Sequence, residues 1–297
     1  MAMKVAWIGV GNMGGPMCRN LAKRSNHQVA VCDLDAAAVQ RCVAAGAVAG
    51  GSIGAAMQGA DLVLTSLPMP RDVEAVALGE GGVLANAKPG QTFIDLSTNA
   101  PAMVKKLGAA MAAKGIAMLD APVSGGTVGA EAATIAIMVG GERAAFEAAE
   151  PVLKSFSANV IHMGALGTGT VAKLVNNMMA FANSAAAAEG LMLGVTAGLD
   201  PAKLVQVVAS SSGNSAAFKS FSERALSGDF TAAFALNLAY KDLHLALELG
   251  DELGVPLPQG SATHNLQRMA RAMGLGPSDS SSILKVYEQV LGRTVKP

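Results

Sequence analysis

The chain has 297 residues, of which 51% are hydrophobic and 15% charged. That length favours two domains over one, and that much apolar material argues against a disordered chain. The 22 basic residues balance 22 acidic ones. No global field therefore draws nucleic acid or an anionic membrane, and any anion site must be local.

In chain order, Lys4–Ile8 reads as a short apolar strand, and Met13–Lys23 has helical spacing. Gln28–Cys32 reads as a second strand and Ala36–Ala45 as a helix ended by Gly46. Strands follow at Leu62–Leu67, stopped by Pro68, and at Thr92–Leu96, before a helix opened by Pro101. Ala117–Leu119, Ile135–Val139 and Val160–His162 complete the predicted strands. Strands alternating with helices of roughly 10–15 residues imply βαβ units and a parallel sheet covered on both faces. Beyond Gly164 no strand is predicted. Helical stretches cover 166–197, 201–212, 216–226, 234–253, 258–273 and 280–291. Pro201, Gly213, Gly228, Gly254-Val255-Pro256 and Gly274–Pro277 punctuate them. The expected architecture is α/β over 1–163, then all-α over 164–297, joined by a long helix.

Cys18, Cys32 and Cys42 form no CxxC pair. An odd count without metal spacing reads as reduced thiols in a cytoplasmic protein. His27, His162, His244 and His264 show no ligand spacing, so no metal is expected. Met1–Ile8 carries one lysine and leads straight into a glycine motif, which does not read as a signal peptide. Val171–Leu193 is the best candidate for a membrane span, but Lys173, Asn176, Asn177, Asn183 and Glu189 interrupt it. A span needs about 20 nearly uninterrupted apolar residues, so a buried helix and no membrane are expected.

The glycine motif is Gly9-Val10-Gly11-Asn12-Met13-Gly14, set between a strand and a helix. Gly9 allows the tight turn, Gly11 lets the backbone approach a pyrophosphate, and Gly14 permits close helix–strand packing. The helix N-terminus offers free N–H groups to phosphates. This is the pattern of a Rossmann dinucleotide-binding domain; a tight turn without ligand is the bland alternative. Asp33 lies 19 residues after Gly14, where a carboxylate accepts hydrogen bonds from ribose hydroxyls and repels a 2′-phosphate. Leu34 follows it, where an NADP-preferring chain more often has arginine, so NAD is favoured over NADP. The alternative for Asp33 is a solvated turn residue paired with Asp35 as a helix cap.

Oxidising an alcohol with such a cofactor removes a hydride from carbon and a proton from oxygen. A nearby group must take that proton. Lys173 is the candidate, because burial in the apolar run Thr170–Val175 would favour its neutral, proton-accepting form. Asn177, four residues on, projects from the same helix face and can orient a substrate. Snorkelling of Lys173 to solvent is the competing reading. In Asp120-Ala121-Pro122-Val123-Ser124-Gly125-Gly126, Ser124 offers a hydroxyl, while Gly125 and Gly126 let their N–H groups close around a carboxylate. A plain β-turn is the alternative there.

These segments together resemble the β-hydroxyacid dehydrogenases, which include 3-hydroxyisobutyrate dehydrogenase and 2-hydroxy-3-oxopropionate (tartronate semialdehyde) reductase. The resemblance runs over essentially the whole chain. It rests on Gly9–Asn20, Leu67-Pro68, Ser97-Thr98 with Pro101, Asp120–Gly126, Gly164–Asn177 and Lys241-Asp242-Leu243. It implies that Lys173 is the catalytic lysine, Asn177 its substrate-positioning partner, and Ser124, Gly125 and Gly126 the substrate-carboxylate loop. Leu67, Pro68, Thr98 and Lys241 match cofactor-contacting positions, with Asp242 beside them. The resemblance also implies a homodimer or homotetramer acting on a small carboxylate-bearing hydroxy acid or semialdehyde.

Two departures stand out. The family usually has Gly-Thr-Leu or Gly-Ser-Leu after the substrate loop; here the residues are Ala133-Thr134-Ile135, read as a local packing change. Many hydroxyisobutyrate dehydrogenases place a tryptophan just after a Ser-Gly element. Here Ser215 stands near that point, and the chain's only tryptophan is Trp7, so the pocket is expected to differ in shape. A short semialdehyde reductase, NADP-dependent in one version, is the nearest alternative function. A non-catalytic dinucleotide-binding module and an imine-reducing relative rank lower, because both generally lack this lysine.

Overall fold

In a computed structural model that describes residues 2–296, the chain forms two compact units, Met1–Lys173 and Leu174–Pro297. Among the described residues the first is built on nine strands: β1 (Lys4–Ile8), β2 (Gln28–Cys32), β3 (Val48–Ala49), β4 (Leu62–Thr65), β5 (Thr92–Asp95), β6 (Ala117–Asp120), β7 (Val123–Ser124), β8 (Ala136–Gly140) and β9 (Asn159–Gly164). They lie in the order β3-β2-β1-β4-β5-β6-β8-β7, with β9 paired to β8. The chain order reverses between β1 and β4, so their carboxyl ends open the crevice where open α/β sheets bind ligands.

Alternation along the strands explains the two covered faces. Val5 and Trp7 of β1 join Leu62 and Leu64 of β4 in one apolar cluster. Ala6 and Ile8 join Val63 and Phe93 in the other. Period-two side chains buried on both sides are what a parallel sheet between helical layers requires.

The sheet is not wholly parallel, which corrects the sequence expectation. β8 runs antiparallel to β6 and β7, and only then parallel to β9. The reason lies in the link after β7. The helix Gly126–Ala132 has seven residues, about 10 Å of rise, and is too short to carry the chain back for a parallel strand. It ends at Ala133, whose φ of 57° makes it the one non-glycine residue with positive φ among those described. The alanine at 133 is therefore a backbone departure as well as a packing change: a left-handed alanine costs roughly 1–2 kcal/mol that glycine would not.

The second unit is helical: the rest of Thr168–Thr196, then Pro201–Ala209, Ala216–Ser227, Leu236–Leu253, Pro258–Ala272 and Leu284–Leu291. The stretch predicted as one helix from 280 begins instead as a tighter 3₁₀ turn, Ser280–Ile283. Ala188, Leu191, Phe221, Leu236 and Leu284 meet in its core. Thr168–Thr196 has the length and apolarity of a membrane span by composition alone, but Lys173, Asn176, Asn177, Asn183 and Glu189 lie within it.

Between two of these helices, His264 is 5% exposed and stacks on Tyr240 at 4.1 Å and on His244 at 5.6 Å. The Arg271 guanidinium lies over the Tyr240 ring, 4.0 Å from its centroid. Burial, then the charges of His244, Arg268 and Arg271, lower the His264 pKa to about 4. The unfolded chain takes up this proton near pH ~6.5, before the folded chain does. His264 therefore adds stability above that pH and loses it as pH falls through about 4. The thermal midpoint is expected to drop between pH ~6.5 and ~4, and His264→Gln to flatten that part of the curve. A variant with the wild-type slope would contradict this.

Candidate active site

The cofactor half begins where β1 ends. Gly9 has a φ of +88°, its N–H donates to Cys32 O at 3.0 Å, and its carbonyl accepts the Trp7 indole N–H at 3.1 Å. A side chain at Gly14 would collide with the Gly9 carbonyl, whereas one at Gly11 would enter open space. The motif thus packs tightly at its first and third glycines and leaves room at its second. The helix Gly14–Arg24 starts without a side-chain cap, so no side chain competes there for its first N–H groups.

Asp33 follows β2. Its Oδ2 accepts the Val10 N–H at 2.6 Å and its Oδ1 accepts the Asp35 N–H at 2.8 Å. It ties the glycine turn to the end of β2. The capping role falls to Asp35, which accepts the Ala37 N–H at 2.8 Å. Leu34 is fully exposed beside Asp33 and offers no charge to a 2′-phosphate.

Leu67 and Pro68 follow β4, and Ser97 and Thr98 follow β5. Sequence reading missed what holds them. Asp95 is 1% exposed; its Oδ1 accepts the Thr65 hydroxyl at 2.9 Å and the Ser97 N–H at 3.1 Å, and its Oδ2 accepts the Asn99 amide at 3.3 Å. Ser97 Oγ in turn accepts the Leu67 N–H at 2.9 Å. Burial pushes the Asp95 carboxyl up, and the bonds from Ser97, Thr65 and Asn99 hold it down. A carboxylate closing a strand ahead of the polar run Ser97-Thr98-Asn99 was the signal available.

Ser124 ends β7, paired with Ala136, and Gly125 and Gly126 follow with φ of 136° and 63°. The segment is therefore a strand end running into a helix start rather than a plain turn. Asn20, also missed, donates to Ala130 O at 2.8 Å and Glu131 O at 3.1 Å. It ties the glycine-motif helix to the short helix after Ser124, alongside an Arg19–Glu131 ion pair.

Lys173 is 8% exposed, so most of the residue is shielded from solvent. Asn177, one turn along the same helix, is 6% exposed. Its Nδ2 donates to Asp242 Oδ2 at 2.6 Å and its Oδ1 accepts the Asn176 amide at 3.0 Å. Asp242 Oδ1 stands 2.9 Å from Lys241 Nζ. The second unit thus brings Asn177, Lys241 and Asp242 together.

Comparison with known proteins shows the family. Residues 4–164 match the family model for the NAD binding domain of 6-phosphogluconate dehydrogenase. Residues 167–287 match the model described as the NAD-binding part of NADP-dependent 3-hydroxyisobutyrate dehydrogenase. The chain belongs to the β-hydroxyacid dehydrogenase family. It is 43% identical over 295 residues to the 2-(hydroxymethyl)glutarate dehydrogenase of Eubacterium barkeri, covering 99% of this chain and 98% of that one. It is 38% identical to an NAD-dependent L-serine dehydrogenase of Pseudomonas aeruginosa, covering 98% and 99%. The solved 3-hydroxyisobutyrate dehydrogenase of Mycobacterium tuberculosis with L-serine superposes with a TM-score of 0.87 at 34% identity, covering 96% and 99%. This chain is an NAD(P)-dependent oxidoreductase acting on hydroxyl groups.

Proposed function

We propose that this dehydrogenase oxidises the primary alcohol of small 3-hydroxy acids of the form HOCH₂–CHR–COO⁻, and reduces the matching semialdehydes. The observation that carries the reading is Lys173, buried on the helix Thr168–Thr196 with Asn177 one turn on. The names of the relatives support the substrate class. 2-(Hydroxymethyl)glutarate, L-serine and 3-hydroxyisobutyrate all contain this unit and differ in R.

The residues divide the work. Ser124 Oγ and the N–H groups of Gly125 and Gly126 take the carboxylate. Lys173 Nζ accepts the hydroxyl proton in oxidation and returns it in reduction. Asn177 hydrogen-bonds the substrate and fixes its orientation for that transfer. The bound dinucleotide supplies the hydride acceptor, its phosphates at Gly9–Gly14 and its ribose at Asp33. Asp33 and Leu34 make NAD the preferred form. The enzyme is read as cytoplasmic and as a homodimer or homotetramer.

Carboxylate recognition is the testable core. Methyl 3-hydroxyisobutyrate keeps the alcohol and loses the anion, and its kcat/KM is expected at least about 100-fold below that of the free acid. Equal values would remove Ser124–Gly126 from the role.

A further inference from the structure

The geometry points to Asp120 as a positioning residue for proton transfer: its carboxylate clamps the first turn of the Lys173 helix onto the strand end from which the Ser124–Gly126 segment departs. This rests on the role given to Lys173 above.

Asp120 is the last residue of β6 and is 1% exposed. Its Oδ1 accepts the Gly167 N–H at 2.7 Å and its Oδ2 accepts the Thr170 N–H at 2.6 Å. The bond from Val171 N to Gly167 O, at 3.0 Å, closes the helix's first turn, so the Gly167 and Thr170 N–H groups precede its internal ladder. One carboxylate satisfies both and places negative charge where the helix dipole favours it. Both oxygens accept, so the ionised form fits the donors. Burial opposes that form, and the Gly167 and Thr170 N–H groups favour it.

The clamp has no slack. A side chain at Gly140, opposite Asp120 in the register, would strike the Asp120 carboxylate. One at Gly169 would run into the carbonyls of Met138 and Asp120. The helix start therefore rests backbone to backbone on the ends of β6 and β8. Lys173 lies three residues beyond Thr170, about 4.5 Å further along the axis. Ser124 lies four residues beyond Asp120. One side chain thus sets the distance between the carboxylate-binding segment and the proton acceptor.

Asp120→Asn keeps the shape but turns an amide N–H₂ towards a backbone donor. The expected result is a kcat for hydroxy-acid oxidation about 10- to 100-fold lower. The NAD Kd and KM should stay within about twofold, because the glycine motif is untouched. The primary isotope effect with substrate deuterated at the alcohol carbon should increase, because chemistry becomes limiting. Asp120→Ala is the second variant. It removes the carboxylate without aiming a competing N–H₂ group at the two backbone donors, and it should shift kcat the same way if Asp120→Asn does not fold. Lys173→Ala runs alongside. Wild-type kcat in folded Asp120→Asn, or in Asp120→Ala where Asp120→Asn does not fold, would overturn the clamp while a collapsed Lys173→Ala leaves the lysine's role standing. Parallel losses in kcat, NAD affinity and thermal midpoint would also overturn it, as a purely structural role. Unchanged turnover in Lys173→Ala would instead remove the lysine reading and the clamp with it.

Discussion

Lys173→Ala is expected to lower kcat for hydroxy-acid oxidation by about 10³-fold, near the middle of the range for losing a positioned acid or base. That corresponds to about 4 kcal/mol of transition-state stabilisation. The NAD Kd should stay within about threefold, because the glycine turn and Asp33 lie on β1 and β2 ends that do not include residue 173. Alanine is the best helix former, so the helix Thr168–Thr196 should persist. Stopped-flow turnover together with NAD titration checks both halves. Lost turnover with retained binding assigns Lys173 to the chemistry. Lost turnover with lost binding would make it a structural residue.

Asp242→Ala is the substitution with the largest expected effect on stability. Asp242 is 2% exposed at its side chain and Lys241 is 11% exposed, so their 2.9 Å pair is largely shielded from water. Removing one partner of a buried pair costs about 3–5 kcal/mol. The Asn177 amide would lose its 2.6 Å acceptor as well. For a chain of this size, a thermal midpoint lower by roughly 5–8 °C follows. The softer Asp242→Asn keeps the volume, and there the KM for the hydroxy acid should increase as the Asn177 amide loses its fixed orientation. Calorimetry and steady-state kinetics read the two effects separately. A midpoint within about 1 °C of wild type for Asp242→Ala would show that the pair contributes nothing.

Much of this molecule was readable before its structure. The glycine turn and Asp33 belong to one short local unit, β1 to β2, and each residue type there answers a local backbone or ligand demand. The helical half was readable because proline and glycine mark its element ends. What stayed hidden depends on long-range contact. Asp95 reaches back 30 residues to Thr65, Asp120 forward 47 and 50 to Gly167 and Thr170, and Asn177 forward 65 to Asp242. No periodicity announces such pairs, although Asp120 and Asp242 stand in segments the sequence singles out for other reasons. The strands Val48–Ala49 and Val123–Ser124 have two residues each, too few to show alternation. The antiparallel turn at β8 followed from that blind spot, because β7 is its partner. Lys173 shows the converse. Spacing left buried and snorkelling lysines equal, and only the fold gives the 8% exposure of the residue.

The most direct test of the central claim is reduced-nicotinamide absorbance on mixing the protein with 3-hydroxyisobutyrate, L-serine or 2-(hydroxymethyl)glutarate, each with NAD and with NADP. The account predicts turnover with at least one of these acids, faster with NAD than with NADP. Silence with all three and both cofactors, from protein shown by titration to bind NAD, would contradict it.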